Sequence, residues 1–249
     1  MFSYLVLGLG GLLFGAMVYR YDMHEREPWW MLVASALAGM ATMAGAVELQ
    51  DALLARVSPG ESGAAAAIFA GVFETGAKLL VPTGVVLGLR RYFNDPMDGL
   101  IYGSLAGLGA AVCEGMYWHW LAPPAEGAGA LAAHGPDAIR LVMHTLWGGI
   151  AGFALGLIVM KRAWRMPLLR MAGGVVAIHV AWDGFVGFAA KDSNWHRLVA
   201  ALLVGVSVVW YGLLIVKANQ WSRAMHAPTS KRRLAGRIVR ALITRRLRP

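Results

Sequence analysis

Long apolar stretches, each bounded by short polar or basic segments, dominate the pattern of the chain. Stretches of about 17–25 mainly apolar residues are long enough to cross the hydrocarbon core of a bilayer as α-helices. The pattern predicts an all-α, polytopic transmembrane helix bundle of about seven spans. The spans cover residues 2–18, 29–49, 64–89, 99–121, 141–160, 168–190 and 196–217. The first stretch lacks a basic leading segment and a small-residue cleavage site, so we interpret it as a retained helix.

The composition agrees with a membrane protein. Hydrophobic residues make up 58% of the 249 residues and charged residues only 15%, whereas soluble domains carry roughly 25% charged residues. The single cysteine, Cys113, excludes an intramolecular disulfide.

The positive charge of the chain is concentrated at its C-terminal end. The formal net charge is +9, yet ten of the 23 Lys and Arg residues lie between Lys217 and Pro249, where there is no Asp or Glu. We therefore divide the chain into a membrane domain, residues 1–217, and a basic tail, residues 218–249, and expect no nucleic-acid partner. Two interpretations of the tail stay open, a solvated segment or a helix that lies on anionic lipid headgroups.

The distribution of Lys and Arg between the loops predicts the orientation of the bundle. The loops after the first, third and fifth spans are the more basic ones. This places the N-terminus outside and the C-terminus, with the tail, in the cytoplasm. On that topology residues 122–140, rich in Pro, Gly and Ala, form an outside loop that we expect to be the least ordered part of the membrane domain.

Glycines recur at spacings of four in the fourth and fifth spans, at Gly103 and Gly107 and at Gly148, Gly152 and Gly156. This spacing places small residues on one helix face and lets two backbones approach closely. We expect these two helices to be central and tightly packed.

Six ionisable residues lie inside the apolar stretches, where a charged side chain costs a few kcal/mol unless it faces the bundle interior or a polar cavity. They are Glu74, Lys78, Glu114, His144, His179 and Asp183. Acids and imidazoles together are the usual groups of hydrolytic or metal chemistry. The topology allows the residues of four different spans to reach a similar depth, so we predict one shared site.

Two of these pairs are spaced i and i+4, so each pair shares a helix face. Glu74 and Lys78 are predicted to form an ion pair within their helix. Asp183 can accept a hydrogen bond from the ring of His179 and fix its tautomer. A further acid, Asp98, lies near the start of its span and is expected to cap the helix.

Several motifs, in their order along the chain, resemble those of the PrsW family of intramembrane proteases, related to the CAAX prenyl endopeptidase and bacteriocin-immunity superfamily. Together they cover about residues 20–185. They are the acidic, proline-ended segment 21–28, the E-E-x-x-K-like segment 74–78, the D-G-x-x-Y-G…E-N-like segment 98–115, and the histidine segments 140–144 and 179–184. Two positions depart from the family pattern, Thr75 in place of the second glutamate and Gly115 in place of asparagine.

The resemblance implies hydrolysis of a peptide bond in or near the membrane region of a protein substrate, in a bacterial inner membrane. It implies that Glu74 activates the attacking water and that His179 stabilises the oxyanion. Asp183 would hold the ring of His179 in place, and Lys78 would offset the negative charge of the site. His144, His179 and Glu114 would form a zinc site, although a metal-free glutamate mechanism uses the same residues. The resemblance also implies a membrane-anchored substrate of the anti-sigma-factor kind.

Three other functions stay open at this point. A divergent family member without activity, a scaffold or regulator, is compatible with Thr75. A proton-relay transporter would line its pathway with the same acids and histidines, although the chain has no internal repeat. A membrane haem protein would use His144 and His179 as axial ligands, which leaves Glu74 and Glu114 without a role.

Overall fold

The computed structural model describes residues 26–57, 63–121, 130–160, 166–187 and 194–226, together with some positions between 9 and 20. Within these ranges the chain is helical and contains no strand. The long helices are α1 (Trp29–Val57), α2 (Gly63–Gly88), α3 (Pro96–Leu121), α4 (Ala130–Val159), α5 (Met166–Trp182) and α6 (Asn194–His226). A 3₁₀ turn, Arg90–Tyr92, precedes α3, and a π-helical turn, Asp183–Gly187, extends α5.

Five helices of the described part are long and apolar enough to cross a membrane, namely α1, α2, α3, residues Gly135–Val159 of α4 and residues Asn194–Ala224 of α6. The prediction of an all-helical, multi-pass membrane protein is therefore confirmed, whereas the number of seven spans and the orientation stay predictions. The first predicted span lies largely outside the described residues, as does the tail beyond residue 226. The sixth predicted span, residues 168–190, is a 17-residue helix followed by the π-helical turn.

Three helices are longer than the apolar pattern predicts, and the first of them, α1, continues past residue 49 to Val57. Residues 130–140, which we expected in an outside loop, form the first turns of α4, and Pro136 lies inside the helix. The last helix continues past Lys217 to His226. Hydropathy marks only the part of a helix that lies in hydrocarbon, and alanine-rich or amphipathic sequence can continue the helix beyond it.

The two central helices, α3 and α4, meet along a seam of glycines. The seam consists of Gly99, Gly103 and Gly107 on α3 and Gly148, Gly152 and Gly156 on α4. A Cβ atom at Gly103 would collide with the carbonyl oxygen of Gly148, and one at Gly107 with the carbonyl oxygen of His144. The predicted close packing of these helices is confirmed, because only backbones without side chains can approach this closely.

The start of α3 is held by a group of buried acids. Asp98 Oδ2 accepts hydrogen bonds from the backbone N–H groups of Asn94, at 2.6 Å, and Asp95, at 2.8 Å. Asp95 Oδ1 accepts one from the backbone N–H of Met97 at 2.6 Å. This reciprocal arrangement is a capping box, which confirms the prediction for Asp98.

One turn further along α3, the hydroxyl of the buried Tyr102 donates a hydrogen bond to the buried Glu27. Glu27, Asp95, Asp98 and Tyr102 are called the cap cluster below.

Candidate active site

Four helices bring the six ionisable residues of the apolar stretches together, as the sequence predicts. Glu74 and Lys78 lie in the middle of α2, Glu114 lies on α3 and His144 on α4. His179 lies in the last turn of α5, and Asp183 opens the π-helical turn that follows. These six residues are called the polar cluster below.

Glu74 lies at the centre of the polar cluster, between the two histidines. Its Oε2 atom is 3.3 Å from Nε2 of His179 and 3.7 Å from Nε2 of His144. All three side chains are buried, and one ligand atom from each lies within 4.8 Å of the others. Both imidazole rings therefore direct Nε2 at the same carboxylate oxygen, Oε2 of Glu74.

Glu114 approaches His144 from α3. Its Oε1 atom accepts hydrogen bonds from Trp118 Nε1 and from Arg140 Nε, both at 3.1 Å. Its Oε2 atom is buried and lies 3.0 Å from Nε2 of His144, but it makes no hydrogen bond within the described part of the chain. One oxygen is therefore fixed by two N–H donors, and the other is directed into the cluster.

A second layer of polar residues holds Glu114 in place. Arg140 Nη1 donates to Asp137 Oδ1 at 2.8 Å, and Asp137 Oδ2 lies 2.6 Å from Nε2 of His119. We call Trp118, His119, Asp137 and Arg140 the clamp. These residues connect the C-terminal end of α3 with the first turns of α4, and Trp118 and Arg140 bind Glu114.

No role for the clamp was predicted from the sequence, although two i and i+4 spacings pointed to part of it. Trp118 follows Glu114 at i+4, and His144 follows Arg140 at i+4, so each pair shares a helix face. The contact of His119 with Asp137 joins two helices, and no local spacing predicts it.

Lys78 and Trp147 close the inner side of the polar cluster. Lys78 is almost fully buried, and its Nζ lies 3.4 Å from Oε2 of Glu74, which confirms the predicted ion pair. Trp147 is buried, with its ring centroid 4.5 Å from that of His179 and 5.8 Å from that of His144. Its Nε1 donates to Ser207 Oγ at 3.1 Å, so α6 fixes the ring. No role for Trp147 was predicted from the sequence.

Asp183 contacts His179 differently from the predicted arrangement. Its Oδ2 atom lies 3.5 Å from Nε2 of His179, the same ring nitrogen that faces Glu74. The Nδ1 atoms of His144 and His179 are buried and make no hydrogen bond among the described residues. Asp183 therefore places a second carboxylate beside Nε2 of His179 and does not bind Nδ1, the other ring nitrogen.

The donor atoms of the cluster fit a zinc ion. Two imidazole nitrogens and one carboxylate oxygen are the protein ligands of many catalytic zinc sites, which leave a fourth position for water or substrate. Among the described residues this group consists of Glu74, His144 and His179. It contains both histidines of the predicted ligand set, with Glu74 in the place expected for Glu114.

Thr75 is buried next to Glu74, and its Oγ1 atom makes no hydrogen bond within the described ranges. It supplies no charge to the cluster. Other carboxylates are nonetheless present, since Glu114 and Asp183 both direct an oxygen at a histidine.

Comparison with known proteins gave one match. The family model of the PrsW family intramembrane metalloprotease matches residues 27–228, which include every member of the polar cluster and of the clamp. No curated protein and no solved structure matches the chain.

Proposed function

We propose that this chain, which belongs to the PrsW family of intramembrane metalloproteases, hydrolyses a peptide bond in or near the membrane region of a membrane-anchored protein. The observation that carries the proposal is the convergence of two imidazoles and a carboxylate from three helices, with ligand atoms within 4.8 Å of one another. A buried group of this kind is expensive to maintain in an apolar bundle and has the chemistry that hydrolysis needs.

The depth of the cluster supports cleavage inside the membrane. At 1.5 Å per residue, Glu114 lies about 10 Å before the end of α3 at Leu121. Glu74 lies deeper still, near the middle of α2. A substrate must therefore bring its backbone into the hydrocarbon region to reach these side chains.

Glu74, His144 and His179 would hold a zinc ion through Oε2 and the two Nε2 atoms. When bound there, zinc would polarise the scissile carbonyl group and make a water molecule acidic enough to ionise near neutral pH. Lys78, paired with Glu74, would offset part of the negative charge of the three carboxylates.

Glu114 is our candidate for the general base. Its Oε2 atom is directed at His144 Nε2, 3.0 Å away, and makes no hydrogen bond with the described residues, while Oε1 is fixed by Trp118 and Arg140. Oε2 would take a proton from the attacking water and pass it to the amide nitrogen of the leaving strand, as a positioned general base and acid does. This assignment exchanges the roles that the sequence predicted for Glu74 and Glu114.

Asp183 would help to hold His179 in position as a zinc ligand. Its Oδ2 atom lies 3.5 Å from His179 Nε2, and the ring of His179 also packs against Trp147, with ring centroids 4.5 Å apart. The substrate class stays a proposal too: a membrane-anchored regulator of the anti-sigma-factor kind, in a bacterial inner membrane, as the resemblance implies.

The exchange of roles can be tested with two conservative variants, Glu74→Gln and Glu114→Gln, each reconstituted in vesicles with a membrane-anchored reporter substrate. Zinc content is measured by elemental analysis and cleavage by gel. We expect Glu74→Gln to lose both zinc and cleavage, and Glu114→Gln to keep zinc while cleavage falls by about 10²–10⁴-fold, the usual contribution of a general base.

Each contrary result has a definite meaning. Zinc loss in Glu114→Gln but not in Glu74→Gln would restore the assignment from sequence. Full cleavage by a zinc-free wild-type preparation would favour the metal-free mechanism with Glu74 as base. Absence of cleavage in the wild type, with zinc bound, would favour the non-catalytic scaffold that Thr75 leaves open.

Two other functions are less compatible with the geometry. A haem with His144 and His179 as axial ligands needs room for the porphyrin between the two rings, but their centroids are only 5.4 Å apart and Glu74 Oε2 lies within 3.7 Å of both Nε2 atoms. A proton-relay transporter would use the same residues, but the family match favours a protease.

A further inference from the structure

An apolar groove of about 300 Å³ runs along the side of the bundle between α1 and α2, separate from the polar cluster. Its walls are formed mainly by small and aliphatic side chains of both helices. They include Met31 and Ala38 on α1, Leu80, Gly84 and Val85 in the last third of α2, and Leu89 just beyond its end.

The length of the groove matches one leaflet of a bilayer. It extends along α1 from Met31 to Thr42, which at 1.5 Å per residue is about 16 Å. Half of the hydrocarbon core of a typical bilayer is about 15 Å thick. A groove of this length can therefore accommodate a hydrocarbon chain that reaches from the headgroup level to about the bilayer centre.

Aromatic residues mark the surface end of the groove. Trp29 and Trp30 begin α1 and are exposed, and the ring of Trp30 meets that of Tyr92 edge-on at 5.4 Å. Tryptophan and tyrosine are enriched at the headgroup level of membrane proteins.

Two exposed arginines follow the groove at this end. Arg90 and Arg91 come directly after Leu89, and the guanidinium of Arg91 lies 4.6 Å from the ring centroid of Tyr92. The nearby acids Asp95 and Asp98 are buried and bonded to the backbone of the α3 cap. The charge that this end offers to a ligand is therefore positive.

Gly84 keeps the groove open. A Cβ atom at Gly84 would meet nothing within 4 Å, unlike the glycines of the α3–α4 seam. Glycine inside a helix destabilises it by about 1 kcal/mol relative to alanine, and no close helix packing requires it here. The open space beside Gly84 is therefore available to a hydrocarbon chain bound in the groove.

We propose that this groove binds one acyl chain of an anionic phospholipid, whose phosphate contacts Arg90 and Arg91. Guanidinium groups match phosphate oxygens with paired hydrogen bonds, and basic groups beside grooves between transmembrane helices are typical anionic-lipid sites. The charge bias of the loops predicts this side to be cytoplasmic. The site is distinct from the basic tail and does not depend on the proposed protease activity.

Native mass spectrometry of the full chain in detergent can test the headgroup contact. Phosphatidylglycerol and phosphatidylcholine with the same acyl chains are added in turn, and bound lipid is counted. We expect preferential binding of phosphatidylglycerol, which the double variant Arg90→Gln/Arg91→Gln weakens by roughly 30-fold. Arg91→Gln alone should give an intermediate loss and leaves the hydrogen bond from Arg90 to the Phe93 carbonyl in place.

The control for charge is the double variant Arg56→Gln/Arg170→Gln, which removes two exposed arginines remote from the groove. It should retain the preference. Equal losses in the two double variants, or no preference in the wild type, would reject the headgroup contact.

The acyl-chain contact has its own test. Gly84→Leu fills the groove and should weaken the binding of both lipids, whereas Gly45→Leu, at an equally open glycine of α1 outside the groove, should not. Unchanged binding in Gly84→Leu would reject the groove as the site. Displacement of the lipid by an apolar peptide of one membrane span, with no effect of salt, would identify a transmembrane helix as the occupant instead.

Discussion

The polar cluster and the cap cluster both bury acidic residues and share helix α3, yet their carboxylates are hydrogen-bonded differently. In the cap cluster, the carboxylates of Asp95 and Asp98 accept backbone N–H groups, and Glu27 accepts the hydroxyl of Tyr102. In the polar cluster, Oε2 of Glu114 and Oδ2 of Asp183 are buried beside histidine nitrogens and make no hydrogen bond among the described residues.

This difference separates a structural role from a chemical one. Buried polar atoms are nearly always hydrogen-bonded, and an unsatisfied one costs about 1–3 kcal/mol. An acid that is fully bonded to the backbone stabilises the fold. Acids that leave oxygens unbonded beside imidazoles are poised to bind a metal, a water molecule or a substrate.

The largest effect is expected from a substitution in the clamp. Its residues stabilise the contact between α3 and α4, and they also hold Glu114 in the polar cluster. Arg140→Gln should lower the cleavage rate by about 10–100-fold, as loss of a supporting residue typically does, because Glu114 loses one of the two donors that fix Oε1 and its only cationic one. The effect should appear in kcat more than in KM, since Arg140 faces Glu114 rather than the substrate. Kinetics on the reporter substrate measure this split.

Arg140→Lys and Arg170→Gln serve as comparisons. Lysine keeps the charge but cannot donate to Glu114 and Asp137 with the planar geometry of arginine, so partial rescue is expected. Arg170 is exposed on α5, and its replacement should change neither constant. Equal rates for wild type and Arg140→Gln would remove the clamp from the mechanism.

A substitution in the cap cluster should lower the stability of the protein and leave its cleavage activity largely unchanged. Asp98→Ala leaves the N–H groups of Asn94 and Asp95 without their acceptor and should destabilise the protein by about 1–2 kcal/mol. Cleavage per folded molecule should stay near the wild-type value. Unfolding in mixed micelles, followed by circular dichroism, measures the stability.

The exposed Asp51 accepts a single hydrogen bond from Tyr117 and provides the control. Asp51→Ala should change the stability by less than about 0.5 kcal/mol, as surface substitutions usually do. A large loss of specific activity in Asp98→Ala would show that the two clusters are coupled.

Thr75→Val should have the smallest effect. Its hydroxyl is buried and makes no hydrogen bond in the described part of the chain. Valine has nearly the same shape, so we expect a change in stability of less than about 1 kcal/mol and unchanged cleavage. Retained activity would show that the acid expected at this position by the family resemblance is not needed here. A loss above tenfold would give the Thr75 hydroxyl a role in the reaction.

The sequence predicted much of the fold because hydropathy and helix spacing are local signals. The spans from 29–49 to 141–160, the cap of α3 and the α3–α4 glycine packing follow from residue type and period. The early start of α4 and the extensions of α1 and α6 were missed because those turns lie outside the apolar pattern. The π-helical turn at Asp183 has no periodic signal of its own.

The candidate site could be predicted as a set of residues but not as a geometry. An ionisable group in an apolar stretch is visible from its surroundings in the sequence. Which atoms meet depends on the rotation and depth of each helix, and these are set by tertiary packing. This is why the tight group contains Glu74 instead of Glu114, and why Trp147 and the clamp were not assigned a role.

The glycine seam divides the reaction machinery into a rigid part and a movable part. Glu114 and His144 belong to α3 and α4, whose backbones are in direct contact, and a Cβ at Gly107 would push against the backbone of His144 itself. Glu74 and His179 belong to α2 and α5, which lack such a seam with this pair. We therefore expect α2 or α5 to move if a substrate strand enters the polar cluster, because the backbone contact at Gly107 keeps α3 and α4, and with them Glu114 and His144, at a fixed separation.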